Sequence, residues 1–177
     1  MLNFYLYKNQ YFEYILPSQV KQAYEISTDG ANPIRDMFNA VAPRYDFLNG
    51  LLSAGFDKYW RKLAVDELEP VANRVFLDVA TGTADIALEL ALRDAPPSRV
   101  IGIDFSTTML HLGNKKVSAR GGESSIRLFP GAAENLPLKS NSFDGAISAF
   151  GARNFADINL GISEIHRVLK PQGKIVI

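Results

Sequence analysis

In the second half of the chain, the spacing of the hydrophobic residues alternates between one typical of strands and one typical of helices. Short, nearly continuous apolar runs predict buried strands near 74–79, 99–104, 125–130, 143–149 and 173–177. Between these runs, apolar residues recur at helical spacing, which predicts helices near 84–94, 107–119 and 157–169. Alternating strands and helices of this kind favour an α/β fold, in which a mostly parallel sheet is covered by helices on both faces.

The N-terminal part of the chain lacks this alternation. Residues 1–32 are predicted to be an aromatic arm and a polar linker, either a plain extension or a segment that adheres to a membrane surface or a partner. Residues 33–70 are predicted to be a helical cap, since Asn32 followed by Pro33 suits a helix start and apolar stripes at helical spacing follow. Residues 71–177 then form the predicted nucleotide-binding core, Rossmann-like in its order of elements.

Composition narrows the class of protein. The 177 residues suit one domain, and 19 basic residues balance 19 acidic ones without a dense basic stripe, which argues against nucleic-acid binding. The absence of cysteine excludes disulfides, thiolate zinc sites and cysteine nucleophiles, and two distant histidines with no acidic cluster argue against a metal site. No apolar run approaches the roughly 20 residues needed to span a bilayer. These features fit a cytoplasmic protein.

The loop after the first predicted strand is rich in small residues, so a ligand can approach the backbone closely. A dinucleotide-binding turn favours G-x-G-x-x-G, whereas Gly82 is the only glycine in residues 80–86, which disfavours NAD. S-adenosylmethionine carries no phosphate and needs room for its amino-acid tail. Asp78 or Asp85 is expected to face its ammonium group, and Thr83 offers a hydroxyl and its backbone. Alternatively, Asp85 is a first-turn acid that interacts with the helix dipole.

Two further strand ends supply candidate cofactor ligands. Asp104 ends the second predicted strand, where a carboxylate accepts both ribose hydroxyls; the alternative is a cap for the following helix. Residues 130–138 follow the third strand, and the small side chains of Ala132 and Ala133 leave backbone groups free to contact adenine. Glu134 is either part of this site or only a loop acid.

The fourth predicted strand leads into candidate catalytic residues. Residues 143–154 read F-D-G-A-I-S-A-F-G-A-R-N, and Arg153 lies just beyond the strand, where it binds an anionic oxygen or holds a carboxylate. A surface ion pair is the alternative for Arg153. Tyr45 and Asp46, in the helical cap, are expected to reach the same cavity, with core packing as the alternative for Tyr45.

Three stretches together are similar to one family of class I methyltransferases. Residues 38–61, 143–154 and 164–173 (E-I-H-R-V-L-K-P-Q-G) resemble motifs of the ubiquinone/menaquinone biosynthesis C-methyltransferases (UbiE/MenG). G-T-A-D at 82–85 and I-D-F-S at 103–106 are similar to the menaquinone-type members. The resemblance implies methyl transfer from S-adenosylmethionine to a ring carbon of a polyprenylated quinol, with demethylmenaquinol favoured over a benzoquinol.

The resemblance also implies roles for individual residues. The family's cofactor-contacting positions correspond to Thr83, Asp104, Ala132 and Ala133. For the chemistry, we expect Arg153 to stabilise the quinol oxyanion, Asp46 to act as a base, and Tyr45 to orient the ring. Two positions depart from the family pattern, which often has Asn at 132 and Ser at 149 where this chain has alanine. Two side-chain hydrogen bonds to the cofactor are therefore expected to be absent.

The chain stops inside the apolar run 174–177, and the family resemblance implies a sheet that continues further. The expectation is an incomplete sheet that lacks the last helix and strand pair. A lipid substrate implies peripheral contact with the inner face of a membrane; the oligomeric state is left open. Two rival functions remain: an S-adenosylmethionine-dependent enzyme that acts on a soluble small molecule, and a truncated, non-catalytic fragment that binds a partner.

Overall fold

A computed structural model describes residues 56–93 and 96–177. In this part of the chain, five parallel strands form one sheet in the order β3-β2-β1-β4-β5. Along the chain the helices and strands are α1 (Phe56–Leu68), β1 (Val75–Val79), α2 (Asp85–Ala91), β2 (Arg99–Asp104), α3 (Thr107–Ala119), β3 (Ile126–Pro130), β4 (Phe143–Ile147), α4 (Ile158–Val168) and β5 (Leu169–Val176). Short 3-10 helices lie at Gly122–Ser124 and Ala152–Asn154.

The predicted class I methyltransferase architecture is confirmed over these residues. Strand β2 and helix α3 have the predicted bounds, and most other elements differ from prediction by one to three residues at an end. Helix α1 lies within residues 33–70, the predicted helical cap. The predicted aromatic arm and linker, and residues 33–55 of the predicted cap, lie outside the described residues.

Strands β4 and β5 differ most from the prediction. Strand β4 ends at Ile147 instead of 149 because the chain turns, and Phe150 has a positive φ of 64°. Strand β5 begins at Leu169, four residues early, because Leu169 pairs with Phe143 before the regular register begins at Lys174. The residues between Leu169 and Lys174 form an irregular bulge.

Two apolar clusters lie on opposite faces of the sheet. One joins α1, α2 and α3 to the sheet through residues such as Val65, Leu90 and Val117. The other packs α4 and the β3–β4 connection on the opposite face, around Phe143 and Ile165. Helices therefore cover both faces of the sheet, which explains why the strands are nearly continuous apolar runs.

The order of the strands places a topological switch point between β1 and β4. From β1 the chain proceeds through β2 to β3 on one side, and it returns through β4 to β5 on the other. Loops at the carboxyl ends of β1 and β4 consequently leave in opposite directions and open a crevice, which is where open α/β sheets bind ligands. No helix within residues 56–93 or 96–177 combines the length and apolarity needed to cross a membrane.

Candidate functional site

A cleft opens at this switch point, and loops from the carboxyl ends of four strands line it. Within residues 56–93 and 96–177, the lining residues are Ala80, Gly82, Asp104, Phe105, Met109, Gly131, Ala132, Ala133, Glu134, Ala149, Phe150, Gly151, Asn154, Phe155 and Ala156. Most of these have small side chains, four have aromatic or long apolar side chains (three phenylalanines and Met109), and two are carboxylates. This is the mixed apolar and polar lining that small-molecule sites typically have.

The loop after β1 forms the floor of the cleft through an unusual backbone. Ala80, Gly82 and Ala84 have positive φ angles of 58°, 55° and 67°. The loop is fixed by a hydrogen bond from the Thr81 amide to the Ile103 carbonyl, 3.0 Å long. Gly151 in the β4 loop packs against it so closely that an added Cβ would lie 2.6 Å from the Ala80 Cβ. Small residues at both positions therefore bring the two loops together.

Asp104 is the carboxylate that lines the cleft at the end of β2. Its Oδ2 accepts a hydrogen bond of 2.8 Å from the Gly82 amide, and its Oδ1 accepts one of 2.8 Å from the Ser106 amide. Burial raises the pKa of Asp104 to about 6, although both hydrogen bonds act in the opposite direction. Ser106 itself caps α3, since its hydroxyl accepts from the Met109 amide at 3.2 Å. The cap is therefore supplied by the neighbouring serine, which leaves Asp104 to serve the cleft.

Asp78 lies behind the floor and outside the lining that the described residues form. Its side chain is buried, and its Oδ2 accepts a hydrogen bond of 2.6 Å from the Thr81 hydroxyl. Burial, together with the nearby charge of Asp104, raises the pKa of Asp78 to about 7. In this structure Asp78 supports the β1 loop from beneath.

Thr83 and Asp85 also lie outside the cleft lining, where they join an ionic cluster between helices. Lys116 of α3 donates to the Thr83 hydroxyl at 2.9 Å and to Asp85 Oδ1 at 2.7 Å. Arg61 of α1 pairs with both Asp85 and Asp57. Asp85 thus lies in the first turn of α2, as in the alternative interpretation of this residue as a first-turn acid. Its ion pairs connect α2 to α1 and α3.

The loop after β3 brings three predicted residues to the cleft. Ala132 and Ala133 line it, and the Ala132 carbonyl accepts from the Asn135 amide at 3.2 Å in a tight turn. Glu134 lines it as well, while its Oε1 accepts from the amides of Ala156 and Asp157 at 2.6 and 3.3 Å. Glu134 is therefore the residue that joins the β3 loop to the start of α4.

Of the three candidate catalytic residues, the structure describes Arg153 alone. Arg153 is exposed and lies in the 3-10 helix after β4. Gly151 and Asn154 on either side of it line the cleft, but Arg153 itself does not. Tyr45 and Asp46 lie outside the described residues. No group of side chains suited to hold a metal ion occurs in the described ranges.

Several lining residues were not predicted as ligands. Met109 lies one turn into α3, away from the strand-end motifs, whereas Phe155 and Ala156 directly follow the 143–154 motif and precede α4. Phe105 was detectable, because it follows Asp104 directly and must leave the same strand end. The remaining residues reach the cleft only through packing of helices against the sheet.

Comparison with known proteins gives three kinds of match. A profile of the ubiE/COQ5 methyltransferase family matches residues 25–177. The ubiquinone/menaquinone biosynthesis C-methyltransferase UbiE of Geotalea daltonii is 45% identical over 150 residues, which are 85% of this chain and 64% of that protein. The demethylmenaquinone methyltransferase of Deinococcus radiodurans is 45% identical over 149 residues, 84% of this chain and 61% of that protein. The chain therefore spans less than two thirds of the length of these curated relatives.

Among solved structures, a SAM-dependent methyltransferase from Thermotoga maritima is similar in fold. It is 27% identical and superposes with a TM-score of 0.59, over 76% of this chain and 56% of that chain.

Proposed function

Because the chain belongs to the ubiE/COQ5 methyltransferase family, we propose that it transfers a methyl group from S-adenosylmethionine to a ring carbon of a quinol in quinone biosynthesis. The observation that carries this proposal is the cleft at the switch point with Asp104 at its edge. A carboxylate at the end of β2, oriented by two backbone amides, suits a ribose diol.

The residues of the cleft fit this cofactor. Asp104 accepts hydrogen bonds from the two ribose hydroxyls through lone pairs that the backbone amides leave free. The backbone of Ala132 and Ala133 faces the adenine edge, and Ala80 and Gly82 leave room for the amino-acid tail. When bound, S-adenosylmethionine supplies an electrophilic methyl group on its sulfonium sulfur. Asp78, Thr83 and Asp85 support the β1 loop from behind.

The chain's own contribution to the reaction is alignment and control of charge at the acceptor. The quinol carbon becomes nucleophilic when the neighbouring hydroxyl loses its proton, so a base and a cation near the oxygen accelerate the reaction. We assign the base to Asp46, the cation to Arg153, and orientation of the ring to Tyr45. As the new carbon–carbon bond forms and the carbon–sulfur bond breaks, the ring carbon's proton is released to restore aromaticity.

Demethylmenaquinol is the proposed acceptor. Relatives named as demethylmenaquinone methyltransferases are 41–46% identical to this chain. The G-T-A-D and I-D-F-S motifs, which are similar to the menaquinone-type members, support the same choice.

A polyprenyl tail requires that the protein meet a membrane surface, which we place at the inner face. Helix α1 presents exposed apolar side chains on one side, namely Phe56, Tyr59, Trp60 and Leu63. Aromatic side chains of this kind favour the interface between lipid and water. Cosedimentation with phospholipid vesicles tests this contact, and equal recovery of wild type and the W60S variant would contradict it.

The first test of the proposed function is calorimetric titration with S-adenosylmethionine, with NADH as a control ligand. Wild type is expected to bind the former and not the latter. D104N is expected to lower the affinity at least tenfold, because a charged acceptor of two hydroxyls is replaced by a neutral one. E123Q serves as the matched control, since Glu123 is an exposed acid outside the cleft. Equal affinities for D104N and E123Q would contradict the site.

The second test is methyl transfer from isotope-labelled S-adenosylmethionine to demethylmenaquinol in detergent micelles. Label in the quinol ring carbon is the expected result. Cofactor binding without transfer to any quinol, but with transfer to a soluble aromatic compound, would replace the proposed substrate. Binding without transfer to either would favour a non-catalytic role.

A further inference from the structure

Phe150 has a backbone conformation that a large side chain rarely adopts. Its φ is 64°, in the left-handed region where an aromatic residue is a genuine outlier. It lines the cleft, and 51% of its surface is exposed. A strained residue persists only where its surroundings impose the conformation, and such residues concentrate at functional sites.

The surroundings of the β4 loop do impose this conformation. Before the turn, the Ser148 hydroxyl donates to the Val79 carbonyl at 2.9 Å, and the Ser148 amide donates to the Val176 carbonyl at 3.0 Å. After the turn, Gly151 is pressed against the β1 loop, and its carbonyl accepts from the Asn154 amide at 2.9 Å. The chain on each side of Phe150 is therefore fixed to a neighbouring strand or loop.

Phe150 differs from the other phenylalanine of this part of the cleft. The Phe155 ring packs against α4 so tightly that a Cβ added to Gly161 would lie 2.6 Å from it. Phe155 also borders the apolar cluster beneath α4. Phe150 belongs to neither apolar cluster of the described residues, so core packing does not explain why an aromatic residue stands at this strained position.

The cleft has two chemically different ends. Asp104, Ala132 and the β2 and β3 loops form the end that suits a nucleoside. Both lining carboxylates, Asp104 and Glu134, come from the β2 and β3 loops, whereas on the other side of the switch point the β4 loop contributes Ala149, Phe150 and Gly151, without a charged side chain. In a transfer reaction the acceptor must meet the methyl group from the side opposite the rest of the cofactor.

We infer that Phe150 is an acceptor-binding residue, whose ring stacks on the planar aromatic ring of the acceptor at the end of the cleft opposite Asp104. This inference rests on the proposed function and adds a residue that determines specificity for aromatic acceptors. An offset or edge-to-face aromatic contact contributes about three- to tenfold in affinity beyond the area that it buries. Phe150 lines the cleft and is 51% exposed, which leaves surface of the ring free for that contact.

The test compares F150G, F150L and F150Y in the same labelled methyl-transfer assay and in calorimetric titration with S-adenosylmethionine. F150G is expected to raise the KM for demethylmenaquinol about tenfold, F150L about threefold, and F150Y hardly at all. All three are expected to bind S-adenosylmethionine within twofold of wild type. The thermal unfolding midpoint of F150G is expected to equal or exceed that of wild type, because glycine adopts a positive φ without strain.

Q172G is the matched control. Gln172 has a similar φ of 68° but is exposed in the β5 bulge, outside the cleft. It is expected to show the same relief of strain with an unchanged KM. An unchanged KM in F150G, or a loss of cofactor affinity equal to the loss in kcat/KM, would overturn the inference. If the wild-type protein fails to methylate the quinol, the proposed function is wrong. If the wild-type protein is active and F150G has the same KM, only the inference about Phe150 is wrong.

Discussion

At the scale of single residues, three acidic side chains near the β1 loop have three different tasks. Asp104 faces the cleft, Asp78 is buried beneath the loop, and Asp85 joins the helices through Lys116 and Arg61. The sequence makes all three candidate cofactor ligands, because Asp78 lies in the first strand, Asp85 follows its loop and Asp104 ends the second strand; a helix-dipole role for Asp85 and a helix cap for Asp104 were the alternatives. Of these three, only Asp104 lines the cleft; the left-handed residues Ala80, Gly82 and Ala84 separate Asp78 from Asp85.

Cofactor affinity is expected to depend on pH through Asp104. Its carboxyl has a pKa of about 6 in the free protein, and only the ionised form accepts both ribose hydroxyls. Affinity is therefore full above this value and falls as the pH is lowered through it, by up to about tenfold per pH unit. Titrations at pH 5, 6, 7 and 8 measure the effect.

D104N is the control for this dependence, because an amide does not titrate. Its affinity curve is expected to be flatter than that of wild type over the same range. A wild-type affinity that stays constant from pH 8 to pH 5 would contradict the assigned contact, as would an equally steep curve for D104N.

At the scale of elements, α4 holds the long connection between β3 and β4. Arg167 donates to the carbonyls of Leu136 and Leu138 at 3.0 and 2.8 Å, and Glu164 accepts from the Leu136 amide at 2.9 Å. The same two side chains pair with each other, which lowers the pKa of Glu164 and raises that of Arg167. Glu134 adds a contact at the other end of the connection, so the helix positions the loop that lines the cleft.

Removing this clamp is expected to destabilise the fold. R167A leaves two carbonyls and the Glu164 carboxylate without their guanidinium partner, which costs about 1–3 kcal/mol in the free energy of unfolding. Urea denaturation followed by circular dichroism measures the change.

R120A is the matched control, since Arg120 is an exposed arginine at the end of α3. R167K is expected to be intermediate, because lysine keeps the charge and loses the forked geometry. If R167A and R120A unfold at the same urea concentration, α4 does not hold the loop in this way.

At the scale of the whole molecule, the two ends of the parallel strands have different functions. The cleft lies at the carboxyl edge, whereas Asp144 lies near the amino end of β4. There it accepts from the Val75 amide, Arg74 and Lys170, each at 2.9 Å. These contacts hold the pKa of Asp144 below its usual range, although partial burial opposes them. This edge therefore stabilises the sheet without touching the cleft.

Substitution at the two edges is expected to differ in its effect on cofactor affinity. D144A removes an acceptor of several hydrogen bonds and lowers the free energy of unfolding by about 1–3 kcal/mol, with cofactor affinity unchanged. D104N lowers cofactor affinity, and it also lowers stability, because an amide has one acceptor oxygen for the two backbone amides that Asp104 accepts from. Thermal unfolding and calorimetric titration of both variants distinguish the two. A loss of cofactor affinity in folded D144A would refute the separation.

The family profile covers residues that lie before the described part of the chain, including the predicted cap with Tyr45 and Asp46. The proposed base and ring-orienting residue therefore depend on the sequence pattern alone. Arg153 is described, but it stands exposed beside the cleft and not within its lining. We propose that Arg153 stabilises the quinol oxyanion, and this contact can form only when the quinol is bound, because the negative charge develops on the quinol.

The sequence by itself determined the alternating core, its parallel sheet and the strand ends that carry Asp104, Ala132 and Ala133. The physical reason is local: the period of apolar residues sets each element, and parallel strands bring their carboxyl ends to one edge. Tertiary structure decided which of the three acids faces the cleft, how β5 is bulged, and why Phe150 has a positive φ at the cleft. Those outcomes depend on contacts between segments distant in sequence, such as Gly151 against Ala80 and Leu169 beside Phe143, which no local pattern encodes.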